Sequence, residues 1–185
     1  MITDALLAFV GIGGNLSLVG GAGVAIPSPL TYDFLGLGVG VAPTERIWGN
    51  PTVFGQADAM GVGNQRPELN VTVGTAFATA NAATLNVALQ GAIDTGAAGG
   101  YLPGTWNTFA ETGVIAVANL TANTIIARLP WLPPFPFNLR PRFLRLLFSP
   151  AAATNFTAGT IASALVVMSR DDYSAKNNPK NFTVA

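Results

Sequence analysis

Apolar and polar residues alternate strictly along Leu69-Asn70-Val71-Thr72-Val73, and the pattern returns in Leu85-Asn86-Val87-Ala88-Leu89-Gln90. A period of two puts alternate side chains on one face of a strand. Leu69, Val71 and Val73 therefore share one buried face, and Leu85, Val87 and Leu89 another. The stretch 77–83 between them is mostly small and polar, as in a loop joining two paired strands. The apolar, β-branched runs 113–119 and 123–129 predict two more strands. The runs 142–148 and 160–168 are apolar on both faces, which predicts central strands covered on both sides. No segment sustains a helical period beyond about two turns.

Towards the N-terminus the pattern weakens. Residues 1–9 predict a short amphipathic arm, with one helical turn after a Thr3 or Asp4 cap. Gly and Pro punctuate residues 11–44, leaving brief extended pieces at 16–19 and 35–41. The alternate glycines Gly36, Gly38 and Gly40 suit a segment that another backbone approaches closely. Residues 45–67 hold Trp48, Pro51, Phe54, Asp58, Arg66 and Pro67, and predict a long connection. The polar tail after Arg170 is expected to be mobile or draped on a partner. Many short strands with turn signals between them predict an all-β fold, a jelly-roll β-sandwich. It forms one domain with three parts: a Gly-rich N-terminal arm and first strands (1–44), the sandwich (45–170) and a C-terminal tail (171–185).

Composition narrows the chemistry. The chain has no His and no Cys, and its only lysines are Lys176 and Lys180. Half of it is hydrophobic, a tenth is charged, and nine acids balance nine bases. No disulfide or thiolate site is possible. Zero net charge gives no steering towards nucleic acid, and with a pI near 6.1 little self-repulsion keeps copies apart. Residues 5–32 are uncharged, but glycines and prolines interrupt them and no Lys or Arg precedes Arg46. Neither a membrane span nor a secretory signal is expected.

Catalytic options reduce to carboxylates, Tyr, Ser/Thr and Lys. The acids are scattered; Asp58 with Glu111 is the pair that would have to serve a glycosidase, and no spacing favours it. Asp171-Asp172 alone is a weak cation signature. Gly11-Ile12-Gly13-Gly14 lacks the third glycine of a dinucleotide fingerprint, and no Gly-Lys-Ser/Thr occurs. Sequons at Asn15, Asn70, Asn119, Asn155 and Asn181 matter only in a eukaryotic secretory host. No catalytic, cofactor-binding or metal-binding residue is expected.

Residues 128–145 differ from the rest. They hold five prolines, four arginines and no acid. A Pro-rich segment is stiff and loses little entropy on docking. Trp131, Phe135 and Phe137 are residue types enriched in interface hot spots. Arg140 and Arg142 have no acid nearby in sequence, which suggests an acidic partner surface. With Ile2, Leu6 and Phe9 of the N-terminal arm, these form the expected interface set. The alternative is that the segment caps its own sandwich.

Four motifs in order along most of the chain resemble a known family. They are Met1-Ile2-Thr3-Asp4-Ala5-Leu6-Leu7 with Phe9, Pro67-Glu68-Leu69-Asn70-Val71 with Val73, Arg142-Phe143-Leu144-Arg145-Leu146, and Phe156-Thr157-Ala158-Gly159-Thr160. The chain resembles the capsid cement, or decoration, proteins of tailed bacteriophages, of the Bordetella-phage type. The resemblance implies a non-enzymatic jelly-roll protein of the virion, made in the bacterial cytoplasm and placed on the outer face of the phage head. There it would bind the major capsid protein, as a dimer or trimer, and lock neighbouring capsomers together. No cofactor, nucleic acid or membrane is implied. The alternatives from other classes are a virion carbohydrate-binding or depolymerase jelly-roll module, and a subunit of some other self-assembling shell or fibre.

Overall fold

A computed structural model describes residues 3–20, 22–34, 39–42, 68–130, 141–151 and 154–167. Thirteen strands run through them: β1 (Thr3–Val10), β2 (Leu16–Ser17), β3 (Ile26–Pro27), β4 (Tyr32–Asp33), β5 (Glu68–Val73), β6 (Ala78–Thr79), β7 (Thr84–Asp94), β8 (Pro103–Glu111), β9 (Ile115–Ala116), β10 (Ile125–Pro130), β11 (Phe143–Pro150), β12 (Phe156–Ala158) and β13 (Thr160–Val167). Two single 3-10 turns, Ala97–Gly99 and Val117–Asn119, are the helical elements among the described residues. The chain is all-β.

One large sheet runs β1-β13-β5-β10, with β2 also on β13; the second runs β3-β11-β7-β8, with β4 on β11 and β9 on β7; β6 and β12 pair apart from them as a two-stranded antiparallel ribbon. Pairs within both sheets are antiparallel. The pairings nest. β1 meets β13, β3 and β4 meet β11, β5 meets β10, and β7 meets β8. This is the order produced when one long antiparallel hairpin folds over on itself. Consecutive partners such as β5 and β7 then fall in different sheets. The stretch 77–83 is accordingly a crossover between sheets, not the hairpin loop its composition suggests.

Both sheets face one core. Phe9 and Val10 of β1, Leu69, Val71 and Val73 of β5, and Ile161, Ala164 and Val166 of β13 contribute from the first sheet. Leu85, Val87 and Leu89 of β7, with Leu144, Leu146 and Phe148 of β11, contribute from the second. Each fully buried Leu, Val or Phe is worth roughly 1.5–3 kcal/mol of transfer free energy. The predicted faces of β5 and β7 are the faces that are buried. β11 and β13 are central strands, as their two-sided apolar pattern predicts.

The N-terminus departs from expectation. Residues 3–10 are a strand, paired to β13 from Thr3↔Val167 to Val10↔Ala164, and form no helical turn. Gly159, between β12 and β13, is a position that needs a glycine. Its φ is +140°, and a Cβ there would run into the Phe77 ring. That ring packs edge-on against Phe156, with centroids 4.8 Å apart, closing one end of the core.

Candidate functional site

β10 ends at Pro130 in the first sheet, and β11 begins at Phe143 in the second. Residues 131–140 lie outside the described residues. Their downstream anchor is well defined, because Arg142 is bolted into the second sheet. Its backbone N–H donates to the Ala92 carbonyl at 3.0 Å, and its carbonyl accepts from Phe34 N–H at 2.9 Å. Its guanidinium binds Asp33 through both oxygens, Nε to Oδ1 at 3.1 Å and Nη2 to Oδ2 at 3.1 Å. Nη1 donates to Asp94 Oδ2 at 2.6 Å, and Nη2 also donates to the Val41 carbonyl at 2.7 Å. The group lies 4.7 Å from the Phe143 ring centroid.

Four pieces of chain thus meet at one cation: β4, the 39–42 segment, the end of β7 and the start of β11. The bidentate fork is the geometry that makes Arg–carboxylate pairs directional. Asp94 extends the clamp, since its Oδ1 accepts from Gly96 N–H at 2.9 Å and so fixes the turn into 95–101. Gly40 N–H donates to the Tyr101 carbonyl at 3.0 Å, tying the 39–42 segment to the same turn. Burial by itself would lower the Arg142 pKa. The hydrogen bonds and charges of Asp33 and Asp94 outweigh it, and the pKa lies above the ordinary arginine value.

This placement corrects two expected interface residues. Arg142 does not need an acidic partner surface: it is 7% exposed, and Asp33 and Asp94 neutralise it from 109 and 48 residues away in sequence. Phe9 is fully buried in the shared core and is a packing residue. Leu6 lies on β1; its side chain, like Ile2, Trp131, Phe135, Phe137 and Arg140, lies outside the described residues.

Surface beside the clamp is apolar. Val39, Val41, Ile93 and Leu102 are 43–48% exposed, on segments that the Gly40–Tyr101 bond and the Thr95–Leu102 bond draw together. Among the described residues the carboxylates form no open pair. Asp33 and Asp94 converge, but on a guanidinium that sits between them. Glu111 is on β8, where its Oε2 accepts from Asn86 Nδ2 at 3.0 Å, and Asp58 lies outside the described residues. Among the described residues no group of three or more potential metal ligands occurs, and no helix is long and apolar enough to cross a membrane.

In comparisons with known proteins, no family model and no curated protein matches the chain. Sequence reasoning missed Asp33 and Asp94 as the partners of Arg142. No local spacing could have revealed them, because the contact is made by strands that are distant in sequence. It also passed over Trp106 and Gln90, which surround Arg145.

Proposed function

We propose that this chain is a non-enzymatic capsid cement protein of a tailed phage. It would bind the outer surface of the head as a dimer or trimer and brace contacts between major capsid protein subunits. The nested strand pairing of the two sheets fits a jelly roll, the fold that the sequence resemblance implies. The observation that carries the reading is the Arg142 clamp. It gives the Pro-aromatic segment a stiff base at one end of the sandwich, beside the exposed apolar residues Val39, Val41, Ile93 and Leu102.

A proline-rich sequence anchored at Arg142 is suited to docking, because proline leaves little conformational entropy to be lost. The exposed apolar residues Val39, Val41, Ile93 and Leu102 favour a protein surface over open water. Each contact can be weak, since repeated copies on a lattice add through avidity. The absence of His and Cys, and the engagement of the two convergent aspartates with Arg142, favour bracing over catalysis.

The test is cosedimentation with heads assembled without this chain, beside the same capsid protein left unassembled. Saturable binding to heads and little to the unassembled subunit is expected. Equal binding to both, or none to heads, would contradict the cement role.

A further inference from the structure

Arg145, on β11, has a different environment from Arg142. Arg145 pairs in register with Gln90 of β7, and Gln90 with Thr108 of β8, so the three form a row across the sheet's outer face. Arg145 Nε donates to Gln90 Oε1 at 3.0 Å, and Gln90 Nε2 donates to Thr108 Oγ1 at 3.2 Å. Trp106, also on β8, lies under the guanidinium, with its ring centroid 4.2 Å from Cζ. One edge of the guanidinium and one of its faces are therefore held. Among the described residues, no acceptor reaches Nη1 or Nη2, and no carboxylate pairs with Arg145.

The contrast with Arg142, which immediately precedes the same strand, is informative. Arg142 is equally planar and charged, yet two aspartates satisfy it. Arg145 is half-buried, and burial lowers its pKa from the ordinary arginine value. It has lost water without gaining an anion. A guanidinium fixed by stacking and by one orienting amide, with both of its adjacent NH2 groups left over, is organised for a planar oxyanion.

We propose that Arg145, seated on Trp106 and aligned by Gln90, is a receptor for one carboxylate presented by an acidic side chain of a neighbouring protein. The carboxylate chemistry follows from the geometry. The choice of a protein partner rests on the cement reading and on two further observations. The Trp106 face that meets the guanidinium is taken, so it offers no platform for a sugar ring. Arg145 is also the one cation of this sheet, among the described residues, that lacks an acid; a polyanionic polysaccharide would need several. Trp106 and Thr108 lie on the sheet's terminal strand β8, so a partner can approach from that edge.

The experiment titrates the full chain with a short uncharged-end peptide of alternating Gly and Glu. The same peptide with Gln for Glu, and an oligogalacturonate, serve as comparators. Nuclear magnetic resonance follows the Trp106 indole N–H and the Arg145 Nε–H. Saturable shifts of both are expected with the Glu peptide and none with the Gln peptide. Arg145→Lys should weaken the Glu response about tenfold, because a point charge replaces the fork. Arg145→Gln should abolish it while the thermal melt holds. Should Arg145→Gln fail to fold, Gln90→Ala frees the guanidinium without removing it, and several-fold weaker binding is then the expected result.

No shift with the Glu peptide, or an undiminished shift in Arg145→Gln, would overturn the site. Tighter binding of the oligogalacturonate would overturn the protein partner. No capsid enters this titration, so its failure would leave the cement reading standing, and heads that bind nothing would leave the carboxylate site standing.

Discussion

Arg142 and Asp33 are joined by two parallel hydrogen bonds, Nε to Oδ1 and Nη2 to Oδ2, each 3.1 Å long, and both side chains are at most 6% exposed. The pair fastens the start of β11 to β4, and Asp94 fastens it to the end of β7. Removing one member strands the other in a site with little water. Arg142→Met should therefore lower the unfolding free energy by about 3–5 kcal/mol, the usual cost of breaking a buried pair. Urea melts monitored by tryptophan fluorescence would check this. Asp33→Ala should cost more than Asp94→Ala, because the Asp94 side chain is 21% exposed and water can partly replace it.

Two glycines are expected to resist even a methyl group. At Gly91, in the middle of β7, a Cβ would collide with the Phe109 ring and lie 2.8 Å from Pro141 Cβ and 3.1 Å from Leu144 Cδ2. At Gly159 a Cβ would meet the Phe77 ring, and the φ of +140° adds strain. Gly91→Ala and Gly159→Ala should each destabilise by about 1–3 kcal/mol or more through overpacking. Gly113, with a φ of +72° and open space around it, should lose less on the same change. Thermal melts of the three variants would rank them.

The Pro-aromatic segment yields a separable prediction. Trp131→Ser with Phe135→Ser should abolish binding to assembled heads and leave the melt of the free protein nearly unchanged. Head binding should also weaken with added salt if Arg140 meets an acidic surface, because rim charge pairs are screened. Arg142, held by Asp33 and Asp94, contributes nothing to that salt dependence. A double variant that unfolds would show instead that the segment packs on its own sandwich.

Much of the sandwich was legible in the chain, and the losses have physical causes. Strict alternation in β5 is matched by strict alternation in burial, since one face of that strand meets only core. β11 and β13 advertise central positions by being apolar on both faces. β8 escaped notice because its pairing with β7 slips register twice, between Leu89 and Gln90 and between Ala92 and Asp94. Bulges of that kind break the period of two on which strand reading depends. β1 carries no strand signature, because Ala5-Leu6-Leu7-Ala8-Phe9-Val10 is apolar throughout, and a short apolar run has no period to distinguish helix from strand. The run 113–119 is a two-residue strand followed by a 3-10 turn, where the sequence predicts one strand.

The site was less legible than the fold. The basic, acid-free character of residues 128–145 is a true feature of the chain, but it says nothing about acids that arrive from elsewhere. Asp33 reaches Arg142 only because β4 pairs with β11, and Asp94 only because β7 does. Arg145, on β11 itself, has no such help, a distinction that the sequence pattern does not contain.

The most direct test of the cement role is the thermal stability of the head itself. Heads assembled with and without this chain should be compared by differential scanning calorimetry at equal capsid concentration. A protein that binds the assembled lattice and not its separated subunits must stabilise the lattice by mass action. The account predicts a higher melting temperature for decorated heads, with the increment lost for the Trp131→Ser, Phe135→Ser variant. Identical melting of decorated and undecorated heads would contradict it.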